Sequence, residues 1–108
     1  MSRSDERLLG DIALACEAII DYSSRASAPE DLVFDAVRIR LVEIGEAVKG
    51  LSDATVARAP EVPWSDIARM RDTLAHHYFD TSHAIVTETA RTDIPALYEA
   101  VGRLLRSG

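Results

Sequence analysis

The sequence predicts an all-α protein, an antiparallel helical bundle of four to five helices. Three observations carry this. Apolar residues recur at helical spacing along most of the chain, no segment alternates with the period of a strand, and five glycines and four prolines leave little room for hairpins. At 108 residues the chain is read as a single domain spanning 1–108, with enough length for one modest core.

The first helix is expected from about Asp5 to Tyr22 or Ser23. Leu8, Ile12, Ala15 and Ile19 form its stripe, which Leu9, Cys16 and Ile20 widen. The stretch from Ser23 to Pro29 breaks it, and Pro29 suits the start of a second helix. There Phe34, Val37, Leu41, Ile44, Val48 and Leu51 follow one another at spacings of 3, 4, 3, 4 and 3. This is the seam of a helix packed lengthwise in a bundle. A further stripe of Ile39, Val42 and Gly45 calls for a second packing partner. A mid-helix glycine costs about 1 kcal/mol against alanine, so Gly45 is expected to permit a close helix approach.

Ser52 can cap a short helical turn through Val56 and Ala59. Trp64, between Pro63 and Ser65, is a large aromatic to bury. Ser65 is the expected N-cap of a third helix, with Asp66 at its positive end and Ile67, Met70, Leu74 and Tyr78 as its stripe, finishing near Phe79 to Asp80. Thr81 or Ser82 can open a fourth helix through Ile85, Val86 and Ala90. Pro95 predicts a break or kink before a last helix bearing Leu97, Val101, Leu104 and Leu105.

Cys16 is the only cysteine, which excludes an intramolecular disulfide and favours a reducing compartment. The N-terminal residues lack the apolar run of a signal peptide, and no stretch approaches a membrane span. The expectation is a soluble, cytoplasmic protein that does not engage a membrane. A net charge of −6 argues against a general nucleic-acid coat protein, yet leaves room for a small local phosphate site.

The segment Arg71-Asp72-Thr73-Leu74-Ala75-His76-His77-Tyr78 carries the chemistry. At about 100° per residue, Arg71 lies at the edge of the apolar face of the third helix, and Tyr78 stacks almost directly above it. A guanidinium there is costly unless it is paired or given an anion. Asp72 and His76 share another line, where the carboxylate can fix the imidazole tautomer. Arg71 and His76 stand about 140° apart, so ideal geometry does not bring them together. The length of the arginine stem, a helix end near His76, or a twofold axis past the helix would each close the gap. The plainer readings are an edge arginine paired with Glu43 or Glu46, a solvated histidine and a core-edge tyrosine. The His76-His77 pair diverges on a helix, and no ligand set completes it, so no metal and no cofactor are expected.

Arg71, His76 and Tyr78 form an Arg-x4-His-x-Tyr pattern that resembles the signature of HepT-like toxins, helical ribonucleases of the HEPN superfamily. Ala36-Val37-Arg38 with Val42-Glu43-Ile44-Gly45-Glu46-Ala47-Val48-Lys49, then Pro63-Trp64-Ser65-Asp66-Ile67, Met70-Arg71-Asp72 and Asp93-Ile94-Pro95-Ala96-Leu97, are similar to further elements of that family in the same order. Together they cover about Phe34 to Leu105. The residue after the arginine is often asparagine in the family. Asp72 departs from it, bringing a negative charge that would either lower activity or strengthen the polarisation of His76.

The resemblance implies a metal-independent RNA endonuclease that acts as a homodimer. Arg71, Asp72 and His76 would be its catalytic residues, and its products would end in 2′,3′-cyclic phosphate. It implies the toxin half of a type VII toxin–antitoxin pair, neutralised by a nucleotidyltransferase antitoxin of the MntA type that adenylylates Tyr78. The substrate would be tRNA or mRNA. The competing class is a non-catalytic helical subunit that binds and assists a nucleotidyltransferase, to which the acidic charge is suited.

Overall fold

The computed structural model describes residues 1–25, 27–76 and 83–107, with only the backbone of His76 and of residues 83–85. Among the described residues the only regular structure is helical. The elements are α1 (Arg3–Ser23), α2 (Glu30–Lys49), α3 (Asp53–Ala57), α4 (Trp64–His76), α5 (His83–Glu88), a π-helical turn (Thr89–Asp93) and α6 (Ile94–Ser107). The packing order across the bundle is α4, α2, α1, α6, because α2 lies against both α1 and α4, and α1 also against α6.

The residues facing these contacts are those that recur at helical spacing. Leu9, Ile12, Cys16 and Ile19 of α1 are fully buried against Leu41 and Ile44 of α2, Leu74 of α4 and Val101 of α6. The predicted α2 seam is buried from Val37 to Leu51, with Phe34 packed at its margin. Ile20, expected to widen the α1 stripe, is instead exposed, because the buried line of α1 ends at Ile19.

The helix ends explain how the pieces are joined. Ser2 caps α1 by accepting from the Asp5 N–H, and Asp5 then reaches out of α1 to the start of α3. Its carboxylate accepts from the Ser52 N–H at 3.0 Å, Ser52 Oγ at 2.6 Å and Thr55 Oγ1 at 2.8 Å. Ser52 is also the N-cap of α3, as expected, although that helix ends at Ala57, short of Ala59. Three donors on one buried carboxylate favour its ionised form, and the Asp5 pKa is held down to about 2, led by the Ser52 hydroxyl.

Two boundaries differ from the sequence expectation. The helix α4 begins at Trp64, so Ser65 sits within its first turn instead of capping it. The Pro63 carbonyl accepts from the Ile67 N–H, while the buried Trp64 indole donates to the Ala59 carbonyl at 2.9 Å. Anchoring the indole thus starts the helix two residues early. Around Pro95 the chain neither breaks nor stops: it widens into the π-helical turn, where the Ile94 N–H donates to the Thr89 carbonyl five residues back. A proline ring would collide with the carbonyl four residues before it, and the wider turn precedes that ring and leads directly into α6. The start of the fourth helix at Thr81 or Ser82, and the end of α4 near Phe79 to Asp80, lie outside the described residues.

The contact of α2 with α4 passes over Gly45. A Cβ built on Gly45 would lie 2.4 Å from Arg71 Cβ and 3.2 Å from the Ile67 carbonyl oxygen. The sequence expectation of a close approach is met here, and the second partner of the Ile39–Val42–Gly45 stripe is α4 at its Gly45 end. At its other end Ile39 is 52% exposed.

Two stability predictions follow from these contacts. Alanine at 45 would gain about 1 kcal/mol of helix propensity. Overpacking against a side-chain stem costs about 1–3 kcal/mol, so Gly45→Ala is expected to lower the thermal midpoint, and a raised midpoint would contradict the close approach. Asp5→Asn is expected to lower the midpoint at neutral pH. It should also flatten the acid limb of the stability profile. A depressed carboxylate pKa contributes stability above the ordinary value near 4, and that contribution is lost as pH falls towards about 2. Unfolding curves at stepped pH test this, and parallel acid limbs for the two proteins would refute it.

Candidate active site

Arg71 is placed by the backbone beneath it. With no side chain on Gly45, the stem of Arg71 lies across α2, and the guanidinium emerges at the edge of the α2–α4 seam with 27% of the side chain exposed. Its Nη2 meets Glu46 Oε2 at 2.8 Å, and its Nη1 donates to Asp72 Oδ1 at 3.1 Å. Its Nε is buried without a hydrogen-bond partner among the described residues. Of the two acids the sequence offered as partners, Glu46 takes the role, and Glu43 instead accepts from Arg40 at 3.0 Å. The Asp72 and Glu46 carboxylates raise the pKa of Arg71 further, Asp72 contributing most.

Asp72 is exposed and shared between two cations. Its Oδ1 accepts from Lys49 Nζ at 2.9 Å as well as from Arg71. The Lys49 bond leads in holding the Asp72 carboxyl below its ordinary pKa, and the Arg71 bond follows. Nearer the C-terminal end of α4, Arg38 Nη1 donates to the Leu74 carbonyl at 3.3 Å. Arg38, Gly45 and Lys49 recur at spacings of seven and four, so they form one line of α2 along this seam.

Of the sequence-predicted residues, the structure therefore brings Arg71 and Asp72 together, with Glu46 and Lys49 around them. His76 is the last described residue of α4, and its side chain lies outside the description. Tyr78 and His77 lie outside the described residues altogether. Lys49 was not singled out by sequence reasoning. The available signal was its place four residues beyond Gly45, on the α2 line that faces α4.

Other reactive groups are held away from chemistry. Cys16 is buried in the core, and burial pushes its thiol pKa up to about 12, so it carries no thiolate at neutral pH. Among the described residues, no group of three or more histidines, cysteines or carboxylates is gathered as a metal would require, and no helix is long and apolar enough to cross a membrane.

Comparison with known proteins matches residues 8–104 to the family described as "Ribonuclease HepT-like". Of the curated proteins, "Probable ribonuclease HepT" of Thermococcus cleftensis is 39% identical over 90% of this chain and 92% of its own length. A candidate RNase of Caldanaerobacter subterraneus subsp. tengcongensis is also 39% identical, over 91% of each chain. One from Methanocaldococcus jannaschii is 36% identical over 88% of this chain and 83% of its own. No solved structure gives a significant match. With a family match across nearly the whole helical bundle, and relatives covered almost end to end, the chain belongs to the HepT-like ribonuclease family.

Proposed function

We propose that this protein is a metal-independent RNA endonuclease, the toxin of a toxin–antitoxin pair, whose active site is built on Arg71, Asp72 and His76. The observation that carries the reading is the state of Arg71. Its stem is fixed over Gly45, and its outer nitrogens rest on two exposed carboxylates that an RNA phosphate can replace. A guanidinium presented in this way can stabilise charge developing on a phosphorane by paired, charge-assisted hydrogen bonds.

One histidine per chain suits cleavage through a homodimer, in which two copies of the motif face one cleft. His76 of one chain takes the proton of a ribose 2′-OH, whose oxygen attacks the adjacent phosphorus. The P–O5′ bond breaks, and His76 of the other chain, protonated beforehand, gives its proton to the leaving 5′-oxygen. The products are a 2′,3′-cyclic phosphate and a 5′-OH, with no net proton gained or lost. Asp72 orients His76. Support for a second copy comes from apolar side chains that stay exposed among the described residues. Leu32 is 62% and Leu14 66% exposed, and Ile39 lies on the same line of α2 as Leu32. Leu14 and Val42 line an open depression of about 520 Å3 that Glu46, the partner of Arg71, also borders.

The regulatory part of the reading rests on the family resemblance and on position. A nucleotidyltransferase antitoxin of the MntA type would transfer AMP from ATP to the phenolic oxygen of Tyr78 and release pyrophosphate. Tyr78 follows Arg71 by seven residues in the sequence, and on the helical-wheel reading of that spacing an anion attached there would compete for the guanidinium.

His76→Ala is expected to lower RNA cleavage about 10²–10⁴-fold, and Arg71→Ala to abolish growth inhibition, while both proteins keep their circular dichroism and elution volume. Undiminished toxicity in both would overturn the assignment, and a folded wild-type protein that never cleaves RNA would favour the non-catalytic subunit. Intact mass after incubation with the nucleotidyltransferase and ATP should rise by one AMP. An increase that persists in Tyr78→Phe would reject Tyr78 as the target.

A further inference from the structure

Lys49 closes α2, and its ammonium reaches across to α4. Taken alone, the Lys49–Asp72 pair is an exposed salt bridge of small value to stability, and a lysine at a helix C-terminus is favourable for its own reasons. Its position relative to Arg71 gives it a different weight. One oxygen, Asp72 Oδ1, accepts from both cations, at 2.9 Å from Lys49 and 3.1 Å from Arg71. Glu46 holds the other side of the guanidinium at 2.8 Å. The four side chains Glu46, Lys49, Arg71 and Asp72 thus sum to zero formal charge.

We propose that Lys49 is a positioning residue of this site: by sharing Asp72 Oδ1 it loosens the carboxylate's hold on Arg71, so that the guanidinium can pass from Asp72 to an RNA phosphate. The inference rests on the reading of Arg71 as the phosphate-binding group. When a phosphate draws Arg71 away, Asp72 keeps Lys49 as its cation, and of the two carboxylates only Glu46 gives up its partner. Without Lys49, the same movement would strand the Asp72 carboxylate beside an incoming polyanion, and the cluster would carry a net negative charge. Asp72 would then compete with phosphate for Arg71. The depressed pKa of Asp72, in which the Lys49 bond leads, agrees with this division of the carboxylate between the two cations.

The test is a double-mutant cycle between Lys49 and Asp72. It is read by the affinity for an RNA oligonucleotide carrying 2′-O-methyl riboses, which cannot be cleaved through the 2′-oxygen. Lys49→Met is expected to weaken binding about fivefold, the upper range for an exposed ion pair, and to raise KM on cleavable RNA with kcat little changed. In the Asp72→Asn background, where no carboxylate needs to be offset, the same Lys49→Met change is expected to weaken binding less than about twofold. Lys49→Arg should retain wild-type affinity, and unfolding midpoints should show that every variant is folded. Equal weakening in both backgrounds would mean that Lys49 touches RNA on its own account and would overturn the proposal, as would no weakening in either. Arg71→Ala serves as the separate control. Unchanged affinity in that protein would remove the phosphate-binding reading itself, and the role of Lys49 would fall with it.

Discussion

The crossing of α2 and α4 at Gly45 is the constraint on which the rest of the site depends. At that point the α2 backbone has no side chain, and the stem of Arg71 occupies the space a Cβ would need. Any other residue would force the Arg71 stem or α4 itself to shift. Three consequences share this origin. The helices approach closely enough for Lys49 of α2 to reach Asp72 of α4 and for Arg38 to reach the Leu74 carbonyl. Leu74 enters the core, where it is almost fully buried. And the guanidinium of Arg71 is carried to the rim of the seam, where its outer nitrogens meet carboxylates and its Nε does not. A cation that is half-buried at its root and solvated at its tip is pre-positioned for an anion, because little conformational freedom remains to be lost on binding.

The remainder of the bundle keeps that crossing in register. Asp5 ties the beginning of α1 to the cap of α3, and α3 lies between the end of α2 and the start of α4. The Trp64 indole then fixes the first turn of α4 to the carbonyl of Ala59. A displacement of α4 along its axis would therefore strain a buried indole and a buried carboxylate, each with its hydrogen bonds satisfied, before it reached Arg71. At the opposite side, α6 packs on α1, and the π-helical turn allows the chain to pass Pro95 without leaving the bundle.

Much of this was legible in the sequence, and the limits have physical causes. The α2 seam and the short α3 cap could be read because periodicity and capping are local properties. The helical wheel put Arg71 at an apolar edge, and the glycine in α2 predicted a close approach. Neither observation alone revealed that the two are the same contact, since pairing a residue on one helix with a residue on another depends on the crossing angle and axial offset. For the same reason the choice between Glu43 and Glu46 as the partner of Arg71 stayed open until α4 was placed beside α2. Lys49 went unnoticed because its meaning comes from an aspartate 23 residues away across a helix–helix seam. The early start of α4 was missed because a good capping serine at Ser65 competes with a buried tryptophan one residue before it, and burial of a large aromatic outweighs a single cap. The widening before Pro95 was anticipated only as a disturbance, because a proline announces the carbonyl it disfavours but not the way the backbone avoids it.

The charge of the chain acquires a more specific meaning in this light. A protein with a formal charge of −6 repels RNA at a distance, so whatever attraction it offers must be local and realised at contact. The cluster around Arg71 has that character. Glu46 and Asp72 keep the guanidinium from acting as a free positive patch, and Lys49 keeps Asp72 from becoming a negative one. On the proposed reading, a phosphate entering there would exchange partners within a neutral set and would not have to overcome an uncompensated charge. Under that reading the arrangement would favour RNA whose phosphate is brought to the seam by other contacts over RNA met at random, and would place selectivity in the geometry of approach instead of in bulk electrostatic affinity. The exposed Leu14 of α1 lines a depression that Glu46 also borders, so a second surface seated there would meet the partner of Arg71.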